Sequence, residues 1–140
     1  MNLYRIVIDT NVLVSALRSR RGASFELLRR LPLDTYRAVV TVPLLMEYAD
    51  VLHRDGMVPI AAPAIDAVID MLCAKADTQT VFFLWRPQLR DPNDEMVLEA
   101  AVNGAADFLI THNGRDFAAA NTFSVRVITP SEFLNLLDGA

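Results

Sequence analysis

Six oxygen-bearing side chains stand apart along this sequence: Asp9, Glu47, Asp91, Asp94, Asn113 and Asp116. Asp9 is the most telling. It ends the branched run Ile6-Val7-Ile8, and apolar sequence resumes after only Thr10 and Asn11. A buried carboxylate is costly unless a partner balances it, so Asp9 either reaches a solvent-filled edge or meets something positive. Carboxylates gathered in one cleft raise each other's pKa, and a divalent cation would resolve that conflict. Oxygen donors suit a hard ion. Imidazole and thiolate sites are poorly supplied, because the chain has only His53, His112 and Cys73. One such ion lowers the pKa of a bound water, and two ions about 3.5–4 Å apart also stabilise a leaving oxygen in phosphoryl displacement.

The elements that must position these groups are legible from periodicity. Residues 4 to 8 read as a buried strand, and 12 to 18 open a helix for which Asn11 is a suitable N-cap. After a loop at Ser19-Arg20-Arg21-Gly22, a helical pattern runs from Ser24 to Leu31 and stops at Pro32. A second strand is expected over 37–42, then a helix opening at Pro43 and carrying Leu44, Leu45, Tyr48, Val51 and Leu52. Further helices are expected over 64–76, 92–103 and 130–138, the last announced by the capping box Thr129-Pro130-Ser131-Glu132. Strands are expected over 80–84, 107–111 and 125–129. Strands alternating with helices imply right-handed crossovers, hence an α/β fold: a three-layer α/β/α sandwich around a mostly parallel sheet of four to five strands. Ligands collect beyond the carboxyl ends of such strands, where Asp9, Glu47, Asp94 and Asp116 would converge.

Each acid also has a structural explanation. Asp91 before Pro92 is a good N-cap, and Asp94 in the first turn benefits from the helix dipole. Asp107 can start a strand or cap the preceding helix, Asp116 in Asn-Gly-Arg-Asp-Phe can be a turn residue, and Glu47 can sit on a solvated helix flank. Asp9 has the weakest such explanation.

At 140 residues the chain is expected to be one domain, residues 1–140, with 53% hydrophobic residues and a mean hydropathy of +0.28. No apolar run approaches the roughly 20 residues of a membrane helix, and no secretory signal is expected. A single cysteine excludes an internal disulfide and fits a reducing cytoplasm. The net charge of −4 does not advertise a nucleic-acid binder, yet Lys75 is the one lysine and the other basic residues are arginines, grouped at Arg18, Arg20 and Arg21 and at Arg29 and Arg30. Arginine forks suit phosphate and buried carboxylates; an arginine bias with solvated helix faces explains them as well.

VIDTNVLVSAL at the N-terminus, a lone Glu47 after a strand and a proline, RDPNDEMVLEAAVNGAADFLIT and THNGRDF together resemble the PIN-domain family. The resemblance is to its bacterial branch of VapC-like ribonucleases, the toxins of toxin-antitoxin systems, and it runs from residue 6 to about 134. It implies an acidic quartet that binds Mg²⁺ or Mn²⁺ and hydrolyses RNA phosphodiester bonds, leaving a 5′-phosphate and a 3′-hydroxyl. Asp9, Glu47 and Asp94 match the first three acids, with Asp91 a close neighbour. Many relatives read Thr-Gly-Asp where this chain has Thr111-His112-Asn113, and some with Asn there carry an aspartate three residues on, here Asp116. Thr10, Asn11, Thr111 and Asn113 would orient the ligands or cap helices. RNA would be held by Arg18, Arg20, Arg21, Arg90 and Arg115, with His112 either touching substrate or lying in a surface loop. The resemblance also implies an antitoxin partner and a homodimer or higher oligomer, for which the apolar helices around 44–54 and 64–76 offer surface; core packing explains their pattern equally well.

Two other enzyme classes fit less well. A haloacid-dehalogenase-type phosphatase wants a second aspartate two residues after Asp9, where this chain has Asn11, and a phospho-receiver domain wants an acidic pair near the N-terminus and a placed lysine. A degenerate PIN-like domain that binds RNA or protein without cutting is the non-enzymatic alternative, motivated by Asn113 at an acid position.

Overall fold

The computed structural model describes residues 3–81, 89 and 91–139. Its core is a five-stranded, all-parallel sheet in the order β3-β2-β1-β4-β5. The strands are β1 Arg5–Ile8, β2 Arg37–Val40, β3 Asp77–Thr78, β4 Phe108–Ile110 and β5 Arg126–Ile128. Between them run the helices α1 Thr10–Arg18, α2 Ala23–Arg30, α3 Val42–Leu52, α4 Ala62–Lys75, α5 Pro92–Asn103 and α6 Pro130–Leu137. A central strand buried on both faces must be apolar throughout, and Ile6, Val7 and Ile8 of β1 are each at most 2% exposed.

Helices pack on both faces, as alternation of strand and helix requires. Helices α1 and α2 pack together with α6 against α2, while α5 lies across β1, β2 and β4. Tyr36 pins the first group by donating to the Leu27 carbonyl at 2.6 Å, and Phe133 of α6 meets the Tyr36 and Phe108 rings edge-on or tilted. Where α5 ends, Gly104 is required by a close approach: a Cβ there would lie 2.4 Å from Val39 Cγ1.

Several elements differ locally from expectation. The N-cap of α1 is Asp9, two residues earlier than Asn11, because β1 passes into the helix with no loop between them. Pro32 does not end the second helical stretch outright; it sits in a 3₁₀ turn, Leu31–Leu33, where a missing N–H costs nothing at the first positions. The strand expected over 80–84 falls at 82–84 outside the described residues, and the sheet edge is the two-residue β3, with Val39 facing Asp77 and Val40 facing Thr78. Asp116, which could have been a turn residue, lies in a 3₁₀ stretch, Gly114–Phe123, kinked at Phe117. Helix α5 starts at Pro92 as expected, and the capping box of α6 is complete, with Thr129 and Glu132 exchanging side-chain to backbone bonds at 3.2 and 2.9 Å. Among the described residues, no helix is long and apolar enough to cross a membrane.

Candidate functional site

Strand order reverses between β1 and β4: the chain steps outward from β1 through β2 to β3, then returns to the other side of β1. The crevice at such a switch point is where parallel sheets bind ligands. Asp9 and Thr111 are the residues that leave β1 and β4 at this point, and the ladder extends to both through Asp9 N–H to the Ile110 carbonyl (2.9 Å) and Thr111 N–H to the Ile128 carbonyl (3.0 Å).

The two side chains meet across the crevice. Thr111 Oγ1 donates to Asp9 Oδ2 at 2.7 Å and accepts the Asn113 N–H at 3.0 Å, so one hydroxyl fixes both the carboxylate and the loop after β4. Asp9 is only 6% exposed, and burial pushes its carboxyl up against the opposing pull of the Thr111 hydroxyl and the Thr10 backbone N–H. Repulsion from Asp116 adds to the rise. Beside it, Asn11 Oδ1 is buried with no hydrogen-bond partner.

Glu47 comes to the same edge on α3. Thr41 caps that helix by accepting the Leu44 N–H at 3.2 Å, and the next residue, the fully buried Tyr48, donates its hydroxyl to the Ile8 carbonyl, tying α3 to the strand end that bears Asp9. Burial raises the Glu47 carboxyl; Asp50, Asp91 and Asp9 push it further, while Arg54 pulls it down.

Asp94 enters from the first turn of α5. Asp91 caps that helix, its Oδ1 accepting the Asn93 N–H at 2.9 Å, so its structural explanation is realised. Burial, with repulsion from Asp9, Asp91, Asp116 and Glu95 behind it, pushes the Asp94 carboxyl up to about 7. Asp91, Asp94, Arg115 and Asp116 line a cleft of about 580 Å³. Five carboxylates from four separate stretches of chain therefore share one field, and that coupling is the property expected of a cation site before its cation. Among the described residues, no three His, Cys, Asp or Glu side chains already close into an ion cage.

Other expected members have plainer places. Asn113 is exposed and contributes its backbone N–H. Thr10 is buried in the first turn of α1. Arg18 is engaged, donating from Nε to the Met57 carbonyl at 2.7 Å and from Nη2 towards the Met57 sulfur. Arg90 lies outside the described residues. His112 bonds the buried Ser24 hydroxyl at 2.9 Å. Asp107 accepts the Arg5 N–H at the amino edge of the sheet, far from the cleft. The sequence reading passed over Glu95, only 3% exposed, whose Oε1 accepts the Leu89 N–H at 2.7 Å and adds to the repulsion on Asp94. Its signal was available: an acid among Val97, Leu98 and Ala101 on the covered face of an amphipathic helix.

A family model described as PIN domain matches residues 5–115. A search of curated proteins finds no match to the sequence. Among solved structures, the chain is similar to VapBC-1 from nontypeable Haemophilus influenzae, at 15% identity and a TM-score of 0.61 over 91% of this chain and 98% of the other. It is also similar to VapBC2 from Rickettsia felis bound to a DNA fragment from their promoter, at 13% identity and a TM-score of 0.60 over 88% and 98%. At these identities the structural likeness concerns the fold.

Proposed function

The chain belongs to the PIN domain family, and from that premise we propose that it is a metal-dependent endoribonuclease, the toxin half of a VapBC-like toxin-antitoxin pair. The observation that carries the proposal is the coupled set Asp9, Glu47, Asp94 and Asp116 at the β1–β4 switch point, with Asp94 held at about 7 by burial and by its acidic neighbours.

The donor set fits Mg²⁺ or Mn²⁺. It is made of oxygens and is too acidic to stay fully ionised alone, and two residues after Asp9 the buried Asn11 Oδ1 has no hydrogen-bond partner. Asp9, Glu47, Asp94 and Asp116 would hold the ion, with Asp91 alongside. A divalent ion there supplies a water of lowered pKa and a counter-charge for the phosphoryl oxygens.

The chain's own residues do the rest. The Thr111 hydroxyl holds Oδ2 of Asp9 and so fixes the orientation of the carboxylate at the end of β1. Tyr48 fixes the height of Glu47 against β1. Arg115, on the cleft wall beside Asp116, would meet a phosphate. Thr10, Asn11 and Asn113 shape the ends of β1 and β4 around these groups.

The VapBC neighbours support an antitoxin partner for this chain, and a homodimer or higher assembly accords with such a pair. A cytoplasmic location accords with an RNA target and with the lone, exposed Cys73. The degenerate, non-cutting reading is favoured by one observation, Asn113 at the expected acid position.

The test is cleavage of single-stranded RNA by the purified protein with Mn²⁺, with EDTA, and with Asp9→Asn and Asp116→Asn. The proposal expects Mn²⁺-dependent products bearing 5′-phosphates and loss of cutting in both variants. Cutting that survives EDTA or Asp9→Asn would overturn it, and Mn²⁺ binding without cutting would favour the degenerate reading.

A further inference from the structure

The arginines among the described residues divide into two sets. Arg5, Arg29, Arg30 and Arg54 close ion pairs with Asp77, Glu26, Asp138 and Asp50; Arg126 lies 5.4 Å over the Phe108 ring; Arg18 is spent on Met57. Among the described residues, Arg20, Arg21, Arg37 and Arg115 make no such contact, and all four are exposed. Three of the four fall at one place.

Helix α2 begins beside the carboxyl end of β4, where its first turn touches the loop that follows that strand. Ser24 in that turn is 2% exposed, and its hydroxyl bonds His112 Nε2 at 2.9 Å, two residues past the end of β4. The Arg20–Arg21 corner that precedes α2 is thereby fastened to the loop bearing Arg115 and Asp116. Arg115 lines the carboxylate cleft. The far end of α1 stands about 14 Å from Asp9, from nine helical residues at about 1.5 Å rise each. Arg37, by contrast, opens β2 at the amino edge.

We infer that Arg20, Arg21 and Arg115 form one cationic rim beside the cleft that holds the phosphates of single-stranded RNA, and that His112 is the positioning residue joining its two halves through Ser24. The choice of RNA rests on the nuclease reading above. A chain of net charge −4 with an acidic cleft repels a polyanion unless cations are spared for it. Arginine forks left without carboxylate partners in a chain with 17 acidic residues are suited to that task. Single strands offer phosphates to such a rim without requiring a base to be read.

The experiment is anisotropy of a short fluorescein-labelled single-stranded RNA across a salt series in EDTA, so that binding is measured without metal or cutting. Each single-strand phosphate contact contributes about 0.7 to the log–log salt slope. Arg20→Ala/Arg21→Ala is expected to lower the slope by about 1.4, which is about 25-fold in affinity at 0.1 M salt, and Arg115→Ala to lower it by about half as much. Arg37→Ala should leave it unchanged. His112→Ala should weaken binding, and His112→Gln, whose amide can still reach Ser24, should restore it. Wild-type slopes in the arginine variants, an equal loss in Arg37→Ala, or no RNA binding by the wild type would each overturn the inference. RNA held through these arginines but never cut with Mn²⁺ would leave the rim standing and remove the nuclease reading; cutting at unchanged kcat/KM in the arginine variants would do the reverse.

Discussion

Replacing Asp94 by Asn should stabilise the metal-free protein, by an amount that builds from about pH 4 and is complete above about pH 7. The Asp94 carboxyl is raised from 3.8 to about 7. Between those values the folded chain holds a proton that the unfolded chain releases, so stability falls as pH rises through that window. A shift of about three units corresponds to roughly 4 kcal/mol as a ceiling. The side chain is only half-buried, so solvent screening brings the expected effect to about 1–2 kcal/mol. Asn carries no charge at either extreme. Wild type and Asp94→Asn should therefore unfold alike near pH 4, while near pH 8 the variant gains about 0.5–1 M in urea midpoint, at the slope usual for small domains. Urea denaturation in EDTA at the two pH values measures this, and adding Mn²⁺ at pH 8 should stabilise the wild type alone. Equal gains at both pH values, or a variant less stable at pH 8, would refute the claim that burial, with the acidic neighbours behind it, penalises the ionised Asp94 carboxylate.

Three further outcomes are expected. Thr111→Val removes the donor to Asp9 Oδ2 and should weaken Mn²⁺ binding about 10- to 100-fold by calorimetry while the thermal midpoint moves little, as for groups that orient metal ligands. Gly104→Ala drives a Cβ to within 2.4 Å of Val39 Cγ1 and should cost about 1–3 kcal/mol in denaturant unfolding without altering RNA cleavage at permissive temperature. Thr129→Ala breaks the capping box of α6 and should cost about 1 kcal/mol, read from the thermal midpoint.

The architecture was legible because its signals are local. Apolar runs such as Ile6-Val7-Ile8 and Phe108-Leu109-Ile110 mark buried parallel strands, and Thr129 with Glu132 marks a helix start. What escaped was set by distant partners. Asp77–Thr78 becomes a strand only because β2 offers Val39 and Val40 as an edge, and no propensity in Asp-Thr announces it. The 3₁₀ stretch Gly114–Phe123 packs against α5 and β5 with Phe117 and Ala120 buried, tertiary contacts that its mixed sequence does not announce. At the site, sequence order brought Asp9, Glu47 and Asp94 to one sheet edge because each follows a strand end or opens the helix after it. The division of labour was not readable: that Arg18 is spent on Met57, that His112 holds Ser24, and that Glu95 is buried behind Asp94 all depend on tertiary neighbours.

The central claim is that Asp9 interrupts an apolar strand because it serves a cation. Calorimetric titration of Mn²⁺ into wild type and Asp9→Asn, side by side, tests it most directly. Saturable binding by the wild type that disappears in a folded Asp9→Asn is the expected result. Absence of binding to the wild type, or equal binding by both, would contradict it.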